Sequence, residues 1–129
     1  LGHPPEDQFE CHAAISDESG DLGSREVVAE GGLAAHTRFK VLKRNDDGTS
    51  LLEVIPLTGR TNQIRVHLWH LGWPICGDQA YLPGRRLGDT QTHTVESSPL
   101  CLLAQRITLT HPLSRQRKTF ESDLPEWCT

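Results

Sequence analysis

The segment Thr58-Gly59-Arg60-Thr61-Asn62-Gln63-Ile64-Arg65-Val66-His67-Leu68, followed by Leu71-Gly72-Trp73-Pro74-Ile75-Cys76-Gly77-Asp78, restricts the local fold more than any other part of the chain. Leu51 to Leu57 has strand character, and Thr58-Gly59 ends it. From Thr61 the apolar period lengthens: Ile64, Leu68 and Leu71 fall at i, i+4 and i+7, one face of a helix. Gly72 stands where a helix C-terminal glycine belongs, and Pro74 bars continuation. A strand that turns through glycine into a helix brings Arg60 and Arg65 close to the helix N-terminus. Exposed N–H groups there add partial positive charge. Such a corner suits a phosphate or a carboxylate.

Strand patterns dominate the rest. Phe9 to Ile15 has strand character, followed by a turn-rich loop from Ser16 to Ser24. Ala35 to Lys43 alternates, with Ala35, Thr37, Phe39 and Val41 on one side and His36, Arg38 and Lys40 on the other. Asn45-Asp46-Asp47-Gly48 is a turn, and Ser50 to Leu57 returns as the partner strand. This hairpin feeds directly into the Thr58 corner. Pro83 to Ser98 is a polar excursion. Leu100 to Ala104 and Arg106 to Thr110 form a strand or a bent pair, His111-Pro112-Leu113-Ser114 turns into Lys118 to Glu121, and Leu124 to Trp127 closes the chain. The expected architecture is α+β, a mixed, mostly antiparallel sheet with few helices.

A chain of 129 residues makes one domain or part of a larger one. It begins at Leu1, which points to truncation, processing or a partial sequence. No apolar run approaches the roughly 18 residues of a membrane-spanning helix, so no membrane partner is expected. The net charge of −4 argues against wholesale nucleic-acid binding. Its distribution argues for a local basic surface: residues 1–30 hold eight acids against Arg25, a balance of −7, and the remainder twelve basic and nine acidic residues, +3. An ordinary solvated surface with an acidic loop fits the charge equally well. Cys11, Cys76, Cys101 and Cys128 show no zinc spacing and read as reduced, structural residues, Cys76 and Cys101 in apolar surroundings.

The late motif, from Thr58 to His67 and then Leu71-Gly72, Pro74 to Asp78 and Tyr81, closely resembles that of the RluA-type pseudouridine synthases. The likeness runs through nearly the whole chain: Gly32 to Phe39 before the hairpin, Leu102-Leu103-Ala104, Thr110-His111-Pro112-Leu113, and Phe120 to Trp127 at the end. The resemblance implies an isomerase that detaches uracil from uridine in RNA and rejoins it through carbon. It implies a largely antiparallel sheet beside an RNA-binding cleft, rRNA or tRNA as partner, and neither a metal nor an organic cofactor. By the same likeness, Arg65 would orient a catalytic aspartate. A guanidinium offers a rigid fork to a carboxylate and keeps its charge. Ile64 would line the uracil pocket. Arg60, Thr61 and Gln63 would be supports or RNA-backbone contacts.

The family's aspartate lies in an earlier His-Arg-Leu-Asp-like segment, and no Arg-Leu-Asp occurs in this chain. Asp78 matches the family's own Gly-Asp and is not assigned as nucleophile; Tyr81 is not the family's pocket tyrosine. Asn62 replaces a common histidine, and Leu103 stands where a histidine is frequent. Residues 1–129 are therefore expected to be the C-terminal portion of the catalytic domain without its nucleophile. The rest would be an upstream segment or a protein chain that completes the sheet. The alternative is a non-catalytic RNA-binding or assembly subunit derived from a synthase; an unrelated α+β domain requires the motif to be coincidence. His67 and His70 carry no accompanying metal motif, and His67 reads as a helix-face residue with a hydrogen-bond partner. Trp69, Trp73 and Trp127 read as packing residues.

Overall fold

A computed structural model describes residues 1–17, 24–28, 30–89 and 96–128. Strands β1 (Gln8–Cys11), β2 (Thr37–Arg44) and β3 (Ser50–Pro56) form a three-stranded antiparallel sheet in the order β1-β2-β3. Asn45 to Gly48 turns the hairpin, and Asn45 N–H donates to the Thr49 carbonyl (2.8 Å). The alternation along β2 appears as anticipated: Thr37 and Phe39 are buried, Arg38 and Lys40 exposed. Register pairs Phe9 with Phe39, and their rings stack at 4.8 Å.

Helix α1 (Gln63–Leu71) follows the corner and ends at Gly72, whose φ of 90° lies in the left-handed region. Val66 faces one core cluster, with Ile15, Ala35, Ala80 and Tyr81. Leu68 faces a second, with Cys11, Phe39 and Ile75, against which Ile64 and Leu71 also pack. Two faces of one helix thus serve two small cores, and the helix is the wall between them. Trp69 and Trp73 pack as expected, Trp69 against Tyr81 and Trp73 edge-on to Phe9.

Beyond the helix come β4 (Tyr81–Leu82) paired with β5 (Arg86–Leu87), then β6 (Arg106–Thr110) paired with β7 (Arg117–Glu121). Among the described residues every strand pairing is antiparallel, as the α+β expectation of a mostly antiparallel sheet requires, and the strands fall into three sheets. Three expectations need correction. The strand expected from Phe9 to Ile15 stops at Cys11, because the chain changes partners; Ile15 instead bridges Val27 and Leu33. Leu100 to Ala104 forms no strand, since the Cys101 N–H goes to the Cys76 carbonyl (2.9 Å) and Leu102 folds back on Leu100. The polar excursion opens with the β4–β5 hairpin. Its continuation at 90–95, and most of the loop expected between Ser16 and Ser24, lie outside the described residues.

The β6–β7 hairpin has two unlike faces. Arg106 pairs with Glu121 and Thr108 with Thr119 on one. Ile107, Leu109 and Phe120 occupy the other, with Ile107 60% and Phe120 55% exposed. On β3, Ile55 is also exposed, as is Leu57 just beyond it, and the outer edge of that strand pairs with no other strand among the described residues.

Candidate functional site

The corner between β3 and α1 is built from polar side chains that satisfy one another. Thr58 accepts the His36 N–H (3.0 Å) and donates its hydroxyl to Gln63 Oε1 (2.6 Å), which also accepts the Arg60 N–H (3.1 Å). Gln63 Nε2 donates to the His36 carbonyl (3.0 Å) and to Thr37 Oγ1 (2.9 Å). The Thr37 hydroxyl then donates to His67 Nδ1 (2.8 Å), and His67 Nε2–H donates to the Ala13 carbonyl (2.8 Å). This assignment requires neutral His67 protonated at Nε2. Its burial agrees, pushing the imidazole below its ordinary value despite the Ala13 hydrogen bond.

Asn62 precedes the helix in the left-handed conformation (φ 58°, ψ 20°), which asparagine tolerates better than most residues. Its side chain gives no cap to the helix. Instead Oδ1 accepts from Arg65 Nη1 (3.3 Å) and Nδ2 reaches the Tyr81 hydroxyl (3.4 Å).

Arg65 lies at the centre of the site. Its Nε donates to Asp78 Oδ2 and its Nη2 to Asp78 Oδ1, both at 2.8 Å, a side-on bidentate pair. The guanidinium lies over the Tyr81 ring, 5.0 Å from its centroid. The Arg65 side chain is 15% exposed and that of Asp78 is 0% exposed. Asp78 Oδ1 also accepts the N–H groups of Ala80 (2.9 Å) and Tyr81 (3.0 Å). Burial is the largest influence on this carboxyl and raises its pKa. Arg65 and the two backbone donors outweigh it and hold Asp78 below the usual carboxylate value. Asp78 in turn raises the guanidinium above its ordinary value.

A guanidinium has five N–H donors. Among the described residues Asp78 takes two and Asn62 one, which leaves two at the Nη1–Nη2 end. Arg65 lines an open concavity of about 300 Å³ with Pro56, Arg60, Asn62, Ile64 and Leu102. Ile64 is on this wall, half-buried. Arg60 is exposed on the same rim, its Nε anchored on the Ala34 carbonyl (2.8 Å), and Thr61 is exposed but does not line the concavity. Gln63 lines the same concavity but is only 4% exposed, with both amide atoms bonded internally.

Sequence reasoning missed Asp78, Thr37, Tyr81 and the backbone role of Asn62. The adjacent Gly77-Asp78 pair was visible, but nothing in a helix pattern shows that the chain returns to Arg65 after thirteen positions.

Residues 2–70 match the family described as RNA pseudouridylate synthase. The Dual-specificity RNA pseudouridine synthase RluA of Pasteurella multocida is 31% identical over 121 residues, covering 94% of this chain and 52% of the relative. The Ribosomal large subunit pseudouridine synthase D of Nitrosomonas europaea is 40% identical over 105 residues, 80% of this chain and 30% of that one. Among solved structures, Human RNA Pseudouridylate Synthase Domain Containing 4 superposes with a TM-score of 0.67 at 23% identity, over 99% of this chain and 56% of that one, a likeness of fold. The chain spans about half or less of the length of these proteins. With the motif, the fold and the relatives in agreement, the chain belongs to the RluA-type RNA pseudouridine synthase family.

Proposed function

We propose that residues 1–129 are the C-terminal portion of an RluA-type catalytic domain, and that the whole protein isomerises uridine to pseudouridine in rRNA or tRNA. The observation that carries this reading is Arg65, gripped side-on by Asp78 while its other end borders the concavity. A carboxylate reaching that end would meet two remaining donors and a permanent positive charge. Both favour its ionised form, as a nucleophile or base requires. That aspartate would come from an Arg-Leu-Asp segment outside these residues, and Ile64 would line the uracil pocket. Arg60 and Thr61 would contact the RNA backbone. No metal or organic cofactor takes part in the isomerisation on this reading. The uncovered apolar face of β6–β7 and the open β3 edge support an upstream segment or partner chain that completes the sheet.

The test is turnover by the chain joined to its upstream half, read as tritium released from uridine labelled at C5, the carbon that becomes bonded to ribose. Turnover lost in Arg65→Ala is expected; turnover retained there overturns the role of Arg65.

The lack of an Arg-Leu-Asp in this chain favours one second reading, a non-catalytic RNA-binding or assembly subunit. It requires that the isolated chain bind RNA with an affinity that falls steeply with salt. A folded sample with no salt-sensitive RNA binding removes it.

A further inference from the structure

Away from the corner, the outward face of β1 and the approach to β2 bring three metal-ligating side chains together. Glu10 and His12 are two apart on one strand line; His36 and Arg38 are two apart on the antiparallel partner, where Glu10 registers with Arg38. Glu10 and Arg38 are strand residues, whereas His12 immediately follows β1 and His36 immediately precedes β2, and the distances bring the four side chains together. His12 Nε2 lies 3.2 Å from Glu10 Oε2, and His36 Nε2 lies 3.3 Å from the same oxygen. One ligand atom from each of the three lies within 4.8 Å of the others.

We propose that Glu10, His12 and His36 form a binding site for a divalent first-row transition ion, with Zn²⁺ the best match. Two imidazoles and a carboxylate are a set that zinc accepts, leaving a fourth position for water. With metal–ligand bonds of about 2.0–2.1 Å, a tetrahedron has edges of about 3.3 Å. Both measured separations to Glu10 Oε2 have that length.

His36 supplies a second observation. Its Nε2 is buried and completes no hydrogen bond among the described residues, although Glu10 is within reach. An approach too oblique for a hydrogen bond suits an ion lying off the line between the two atoms.

Two features oppose the ion. The imidazole rings stack with centroids 3.9 Å apart, and tetrahedral ligation would open them by about 1 Å. His12 is 65% exposed and free to make that movement. Arg38 adds a positive charge nearby, but it binds Glu10 Oε1 (2.9 Å), steadying the carboxylate and leaving Oε2 to the ion. Affinity on the order of micromolar is expected rather than the tight binding of a closed structural site.

Placement gives the ion a consequence. The His36 backbone is gripped from both sides by the corner, its N–H by Thr58 and its carbonyl by Gln63. An ion would therefore tie the end of β1 to the corner that carries Arg65. It would also stand beside an expectation, implied by the family resemblance, of no metal cofactor.

The test is calorimetric titration of the untagged, reduced 129-residue chain with ZnCl₂, paired with the visible spectrum of its Co²⁺ form. One ion per chain, tetrahedral Co²⁺ bands and a rise in Tm with Zn²⁺ are expected. His12→Ala, at the most exposed ligand, should weaken binding at least tenfold while leaving the circular dichroism spectrum unchanged. Glu10→Gln should do the same. Absence of saturable binding overturns the proposal. So does binding that is unchanged in His12→Ala and Glu10→Gln, which would assign the ion to the cysteines.

Discussion

Asp78 holds Arg65 along one edge only, through Nε and Nη2, at two equal distances of 2.8 Å. The opposite end of the guanidinium is left at the concavity with two donors in hand. An arginine fixed by its side edge presents its far end in one direction, with little rotamer freedom left to lose when a second carboxylate arrives. The same pair therefore bears on both stability and chemistry, and the two can be separated by substitution.

Asp78→Asn removes one charge from a buried pair and leaves the other uncompensated. A loss of about 3 kcal/mol is expected, toward the low end of the range because Arg65 retains some solvent contact. Urea unfolding measures it; a loss under about 0.5 kcal/mol would show that solvent compensates Arg65.

Arg65→Lys tests geometry against charge. An ammonium keeps the charge but cannot serve Asp78 side-on and a second carboxylate end-on together. In the complete protein, turnover should fall by at least about tenfold with RNA binding nearly unchanged. Activity equal to wild type would reduce the role of Arg65 to charge alone.

Acid should weaken the fold in two windows. His67 has a folded value below its ordinary 6.5, so its contribution is complete above that pH and is lost as protons bind the unfolded chain more readily below it. Asp78 follows the same sign lower down: its contribution is complete above the ordinary 3.8 and lost as pH falls through the depressed folded value. His67→Gln should flatten the slope just below the first value while leaving the second window in place. Equal slopes in the two proteins would mean that His67 does not carry the effect.

Two glycines in the left-handed region should differ in their response to alanine. Gly72, at the helix end, has open space where a Cβ would stand, and Gly72→Ala should cost about 1 kcal/mol. At Gly77 (φ 79°) the added carbon would overlap the Pro99 carbonyl as well. Gly77→Ala should cost about 2–4 kcal/mol and loosen the neighbouring Asp78. Thermal denaturation of the two variants ranks them, and the reverse order would contradict the geometry.

The chain alone should self-associate through the apolar side of β6–β7. Replacing Ile107 and Phe120 with threonine should shift light scattering toward the monomer, since both are more than half exposed. A monodisperse wild-type monomer would show that this face is tolerated by water.

What was legible in the sequence was local. Gly72 and Pro74 marked the helix end, the alternation from Thr37 to Lys40 marked the buried side of β2, and Asn45 to Gly48 marked the turn. Periodicity reports which face is buried, and it did so here. It does not report which distant groups meet. Ile15 left its expected strand for Val27 and Leu33, Leu100 to Ala104 gave up strand geometry, and Asp78 returned to Arg65. Each depends on where a loop carries the chain in space. Gln63 is the instructive case within the motif. As a polar residue of the motif it carried two readings, a support or an RNA-backbone contact, and only the fold shows its amide bonded to Thr37, Thr58 and His36.

That enclosure sets the azimuth of the helix. Gln63 and Arg65 are two residues apart, so their side chains leave the axis about 200° from each other. Pinning the first to three strand and corner residues fixes the compass bearing of the second. His67, anchored to Thr37 and Ala13 one further turn along, stops the helix from rolling about its first pin. The bearing of Arg65 is thus set from two sides, by uncharged groups across the helix and by Asp78 at its tip.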